Sequence, residues 1–144
     1  QELLAAVADE LLVRGARPDA TELRWDGRVV ALSGELRDAM LAYRDGAELI
    51  ATVHAFGLGA ETPAVRLTAA IAGGGFEEGF AASAATAILY FVFGHVSDEQ
   101  THLQANSVGA IDKPVGDASK SFALGLSLIL DGIRLRDPSA SVVS

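Results

Sequence analysis

FAASAATAILYFVFGHV, residues 80–96, decides the fold. It runs for seventeen residues without an Asp, Glu, Lys or Arg, between Glu77 and Glu78 on one side and Asp98 and Glu99 on the other. A second stretch, FALGLSLILDGI at 122–133, carries one charge, Asp131. Neither alternates with a period of two, so both read as helices, and a helix apolar around most of its circumference must be covered on every side or lie in lipid. Spanning a bilayer takes about 20 predominantly apolar residues. The first run is shorter and includes Ser83, Thr86 and His95, so the expected cover is a second copy of the chain. Two such helices from each copy would meet in a four-helix seam across a two-fold axis. Phe93, Val96, Phe122, Leu124, Leu128 and Ile129 are the residues expected at that seam.

Composition sets the outer bounds. The 144 residues suit one domain with a substantial core, and with 50% hydrophobic but only 6% aromatic residues that core is built of Ala, Leu, Val and Ile. Eleven basic against nineteen acidic residues give a net charge of −8, which repels phosphate backbones and argues against nucleic-acid binding by this segment alone. The chain has no cysteine, which excludes disulfides, thiol catalysis and thiolate metal sites and fits a reducing cytoplasm. The opening LLAAVADELLVRG carries acids and lacks a basic leader and cleavage site, so it does not read as a signal sequence. The missing initiator Met suggests a fragment.

Periodicity places about six helices. Leu3, Leu4, Val7, Leu11 and Leu12 recur at three- and four-residue spacing up to Gly15. Asp26 is expected to cap a second helix with the apolar face Val29, Val30, Leu32, Leu36, Met40 and Tyr43, closing at Asp45-Gly46. A short helix follows at about 47–54. Thr62 as N-cap and Pro63 in the first turn open a fourth, which stops at Gly73-Gly74-Gly75. The fifth spans about 77–104 and the sixth about 118–136, separated by a polar loop with Pro114 and Gly116. The fold class is all-α, with residues 1–136 as the folded domain and 137–144 as a flexible tail.

This order of elements carries a family resemblance. An amphipathic helix, a break, Trp25, ELRDAMLAYRDGAEL at 35–49, the Gly75-Phe76 turn, a long helix containing FGHVSDEQ and a last helix FALGLSLILDGIRLR together resemble the C-terminal ligand-binding and dimerisation domain of tetracycline-repressor (TetR) family regulators. Tyr43-Arg44-Asp45-Gly46-Ala47 and Phe122-x-x-Gly125-Leu126-x-Leu128-Ile129 are the most specific parts. The resemblance implies a homodimer and a helix-turn-helix head, outside this sequence, through which operator DNA is bound. It also implies a small-molecule effector that re-tilts the first helix and releases DNA, with repression as the default sign.

The positions that hold a tetracycline–magnesium chelate in that family align with Ala16, Leu32, Leu36, Ile50, Val53 and Leu67, all aliphatic here. Leaving a tetracycline's oxygens unmatched against such walls costs about 1–3 kcal/mol per group. The implied effector is therefore hydrophobic, and the implied pocket comprises Leu32, Leu36, Ile50, Val53, His54, Leu67, Ala82, Ala85, Thr86 and Leu89, with Thr52 and Tyr90 as further polar points.

Other chemistry finds less support. His95, Asp98 or Glu99, and His102 share a helix face and are a legitimate zinc or nickel ligand set. The two imidazoles nevertheless lie two turns, about 10 Å, apart, so Asp98 pairing with His102 is the simpler expectation and no metal or other cofactor is assigned. Ser83 has no histidine partner at readable spacing, the paired Glu77-Glu78 suit a helix N-terminus, and the glycine run lacks the Lys-Ser or Lys-Thr of a phosphate loop. No catalytic residue is assigned and the chain is not expected to be an enzyme. The alternatives are a stand-alone binding protein or enzyme built on the same pocket, and a helical scaffold that binds nothing small.

Overall fold

The computed structural model describes residues 23–43, Gly46, Ile50, 62–107, 109 and 117–137. The expected helices at 3–15 and 47–54, Ile50 excepted, lie outside the described residues, as do Ala16, Thr52, Val53, His54 and the tail beyond 137. Among the described residues the regular structure is entirely helical, as the lack of period-two patterning requires. These residues form four helices: α1 (Trp25–Leu41), α2 (Pro63–Ala72), α3 (Glu78–Ser107) and α4 (Ala118–Arg134). The expected total of six is therefore not established.

α3 is the axis of the bundle and packs against each of the other three helices. Its inward stripe, Ala81, Ala85, Ile88, Val92 and Val96, recurs at three- and four-residue spacing and is fully buried. α1 contributes Val29, Leu36 and Met40 to the same core, α2 contributes Leu67, Ala70 and Ile71, and α4 contributes Phe122, Leu126, Leu130 and Ile133. By length and composition alone Glu78–Ala105 could cross a membrane. The charge-free run itself ends at Val96, short of a bilayer span, and the helix is longer because it continues through Asp98 and Glu99. Three packed neighbours and the polar groups of Glu99 and Gln100 turned into the bundle give it the surroundings of a central core helix.

Local chemistry explains the boundaries. α2 begins as expected, with Thr62 Oγ1 accepting the Val65 N–H at 3.4 Å and Pro63 in the first turn. It ends at the triple glycine for two separate reasons. A Cβ on Gly74 would stand 2.5 Å from the Trp25 ring, and Gly75 has a φ of +93°, which side chains rarely adopt. Trp25 then meets Phe76 edge-on with centroids 5.0 Å apart, and Phe76 stacks on Phe80 at 5.5 Å, so the three rings close one end of the core.

Two expectations for α1 need correction. Asp26 is not the N-cap: Arg24, two residues earlier, holds that position, and the Asp26 carboxylate accepts from the Gly27 N–H at 2.9 Å and from Arg134 Nη2 at 3.1 Å. Burial works to raise its pKa, but the Arg134 and Gly27 hydrogen bonds and the charges of Arg134 and Arg24 outweigh that and hold it below the usual value. It thus ties the start of α1 to the end of α4. The inward face is Trp25, Val29, Ser33, Leu36 and Met40, and Val30 and Tyr43 are exposed. Val30 is one residue from the stripe that faces α3, which turns it about 100° away. α1 also stops at Leu41 rather than Asp45. Gln100 Nε2 donates to the carbonyls of Met40 and Tyr43 at 2.9 and 2.8 Å, satisfying acceptors that the helix end leaves open.

Candidate functional site

Leu32, Leu36 and Leu67, three of the residues expected to bind a ligand, line one cleft between α1 and α2, together with Glu35, Pro63 and Arg66. Its inner room is about 20 Å³, on the order of a single water. Ile50, Ala85 and Leu89 belong to the buried cluster that also holds Leu36 and Leu67, so they lie behind the cleft wall rather than on it. Ala82 and Thr86 sit on a more exposed side of α3, where Thr86 Oγ1 donates back to the Ala82 carbonyl at 3.0 Å. Tyr90 is exposed. The cleft therefore gathers part of the expected pocket and leaves Ala82 and Thr86 outside it.

The charged members of the cleft were not anticipated. Glu35 has a side chain only 11% exposed, and its Oε2 is buried without a hydrogen-bond partner. Arg66 Nη2 stands 3.7 Å from that oxygen, beyond hydrogen-bond range, and its side chain is 42% exposed. The signal was present in the spacing. Leu32, Glu35 and Leu36 on α1 and Pro63, Arg66 and Leu67 on α2 follow the same i, i+3, i+4 pattern, which puts one charge on each apolar face.

A second polar group lies where α1, α3 and α4 meet. Arg37 grips Glu99 with Nε at 2.9 Å and Nη2 at 2.5 Å, and its guanidinium lies 5.3 Å from the centroid of the Phe122 ring. His95 Nδ1 is 3.0 Å from Glu99 Oε2, and its Nε2 is 3.4 Å from Ser121 Oγ. Burial tends to raise the Glu99 pKa, but hydrogen bonds from Arg37 and His95, with their charges, hold it below the usual value. The hydrogen bond to Glu99 correspondingly raises that of Arg37. The residues weighed as a metal-ligand set are divided: His95 lies with Glu99 and Ser121, while His102 turns to Asp98, with Nδ1 at 2.8 Å from the Asp98 carbonyl and 3.5 Å from Oδ1. Among the described residues no group of three or more His, Asp or Glu is arranged to hold a metal ion.

The outward surface of α3 and α4 is apolar and small. On α4, Leu124 and Leu128 are 63% and 64% exposed, and Leu135 beyond its end is more so. On α3, Ser83, Ala87, Tyr90, Gly94 and Ser97 form the stripe opposite the core. Among the residues expected at a seam, Phe93 and Ile129 are partly buried and Leu124 and Leu128 face outward. Val96 and Phe122 require correction. Val96 has no exposed surface, and Phe122 is spent inside the protomer, stacked on Phe91 at 5.5 Å and edge-on to His95 at 5.3 Å.

Comparison with known proteins agrees with the all-helical fold. The family profile described as tetracyclin repressor-like, C-terminal domain, matches residues 17–117. Among solved structures, BioQ of Mycobacterium smegmatis is 36% identical and superposes with a TM-score of 0.82, over 92% of this chain and 72% of that one. A structure of BioQ with its double-stranded DNA operator is 34% identical with a TM-score of 0.75, covering 92% of this chain and 70% of that one. A possible TetR family transcriptional regulator from Streptomyces coelicolor A3(2) is 28% identical with a TM-score of 0.72, covering 92% and 77% of the two chains. No curated protein gave a significant match.

Proposed function

Because this chain belongs to the family of tetracyclin repressor-like C-terminal domains of transcriptional regulators, we propose that it is the effector-sensing and dimerising part of a cytoplasmic repressor that leaves its operator when a hydrophobic small molecule binds. The observation that carries the effector is the cleft between α1 and α2, where Leu32, Leu36 and Leu67 offer an aliphatic wall. Leu89, Ala85 and Ile50 belong to the same buried cluster as Leu36 and Leu67, and Val53 and His54 are the further residues assigned to the site, with Ala82 and Thr86 left out of it. The chain acts by binding and has no catalytic role.

Dimerisation runs through the outward faces of α3 and α4. A second copy covers Leu124 and Leu128, with Phe93 and Ile129 at the edge and the small residues of α3 allowing the helices to approach closely. Operator DNA is bound by a helix-turn-helix head on the N-terminal side, as the BioQ complex with its operator suggests by likeness. Two heads in such a dimer fit half-sites one helical turn apart. An effector that favours another spacing weakens operator binding, and operator weakens effector binding by the same factor.

Sedimentation of Leu128→Asp tests the assembly. An unpaired carboxylate in the seam costs several kcal/mol, so monomer or insoluble chain is expected, and a dimer of unchanged affinity would place the interface elsewhere. A calorimetric screen of hydrophobic small molecules tests the sensor. Saturable binding weakened by Leu67→Trp supports it, no binding at all leaves a scaffold, and turnover of a bound compound would make the pocket an active site.

A further inference from the structure

Glu35 is out of place in an otherwise aliphatic cleft. A carboxylate removed from water ordinarily collects hydrogen bonds, because one left without donors bears its desolvation cost uncompensated. Glu35 Oε2 is buried and has none, while the cation paired with it among the described residues, Arg66, is 3.7 Å away on a side chain 42% exposed. A partly solvated, loosely apposed ion pair of this kind contributes little. The guanidinium can move into water at small cost, which would leave the Glu35 carboxylate facing the cleft without a counter-charge.

We propose that this cleft takes the ammonium head of an amphiphilic amine, with Glu35 as counter-ion and Arg66 as the cation it displaces. The inference rests on the reading of the chain as an effector-binding domain and narrows the effector to one charge class. Size, charge and wall chemistry converge on it. The inner room of about 20 Å³ matches a group no larger than a water or an ammonium. The exchange replaces one cation by another, so the charge of the site is conserved, and the ammonium supplies the hydrogen-bond donor that Oε2 lacks. Leu32 and Pro63, the half-buried walls at the mouth of the same cleft, receive the alkyl body, with the buried Leu36 and Leu67 behind them. An acid is disfavoured, because its carboxylate would meet that of Glu35. An alcohol keeps the tail contacts and one donor but gains no charge assistance. The net charge of −8 raises the local concentration of cations in the same direction.

The test uses three probes with one tail: hexylamine, hexanol and hexanoic acid, titrated at pH 7 against the chain and followed by the methyl resonances of Leu32, Leu36 and Leu67. The amine is expected to shift them saturably and about fivefold more tightly than the alcohol, as a charge-assisted hydrogen bond provides, with the acid weakest. Glu35→Gln keeps the shape and removes the amine's preference over the alcohol. Arg66→Ala, which removes the competing cation, strengthens amine binding and supplies a second readout should the first variant fold poorly. If alcohol and acid shift these methyls and the amine has no advantage, or the advantage survives Glu35→Gln, the charge class is overturned while the effector site stands. If none of the three probes shifts them, both are overturned.

Discussion

Glu99 and Glu35 are removed from water to nearly the same degree, their side chains 9% and 11% exposed, yet they have opposite surroundings. Glu99 receives both nitrogens of one face of Arg37 and lies within hydrogen-bond distance of His95, and so joins α1 to α3, while the same histidine reaches Ser121 on α4. Among the described residues Glu35 has one distant guanidinium beside it and an oxygen with no donor. A satisfied buried carboxylate fastens elements together, because separating them would expose each partner unpaired. An unsatisfied one fastens nothing and is stabilised by whatever brings it a donor. The difference divides the molecule into a rigid joint among α1, α3 and α4 and a receptive seam between α1 and α2.

The largest effect is expected from breaking the joint. Arg37→Ala leaves the Glu99 carboxylate in place with only His95 as partner and removes the cation over the Phe122 ring. Loss of about 3 kcal/mol of unfolding free energy is expected, the low end of what removing one partner of a buried ion pair costs. Denaturant melts at fixed protein concentration would measure it, since dimerisation makes the midpoint concentration-dependent. The double variant Arg37→Met, Glu99→Leu should recover most of that loss by replacing the charges with apolar packing. A loss below about 1 kcal/mol for the single variant would reduce the joint to an ordinary surface ion pair and erase the contrast with Glu35.

Acid sharpens the same contrast more gently. The Glu99 pKa is depressed in the folded state, so its contribution to stability is fully present above the usual glutamate range, near 4.3. That contribution is lost as pH falls through the lower folded value. Arg37 remains charged throughout, and Asp26, also held below its usual value by Arg134, is lost in the same direction. The stability gap between the parent chain and Glu99→Gln should therefore narrow as pH drops from about 6 toward 3. A gap that stayed constant over that interval would mean the Glu99 charge contributes nothing.

Much of this was legible in the sequence, and the parts that were not share a cause. Thr62-Pro63, the triple glycine and the two long apolar runs are local signals, and they gave α2, α3 and α4 to within a few residues. Which side of an apolar helix faces inward is not local. Val96 and Phe122 read as well for a seam as for a core, because a helix apolar all round has no polar face to orient it. The orientation of α4 is settled by Gly125, where a Cβ would stand 2.5 Å from the Phe91 ring, a contact meaningful only once the two helices are known to pack. The Arg37–Glu99 pair joins residues 62 apart, and no spacing rule reaches that far. Glu35 differs from all of these, since its place beside Leu32 and Leu36 could be read from helical periodicity alone. Charged residues on an apolar face are easily assigned to solvent when attention follows the hydrophobic pattern.

The smallest expected effect is the most discriminating. Glu35→Gln removes a charge that no hydrogen bond to Oε2 compensates and replaces it with an amide of nearly the same shape, whose nitrogen can itself donate. If Glu35 were a fastener like Glu99, this change would cost what Glu99→Gln costs. With only a 3.7 Å contact to a partly exposed arginine at stake, the loss of attraction and the relief of desolvation nearly cancel. Unfolding free energy should change by no more than about 0.5 kcal/mol in either direction, and slight stabilisation is the sign that desolvation outweighs the ion pair. The comparison is cleanest against Glu99→Gln under identical conditions, because both variants exchange a carboxylate for an amide at similar burial. Equal losses would remove the distinction between joint and receptive seam, and with it the reason for assigning ligand chemistry to Glu35.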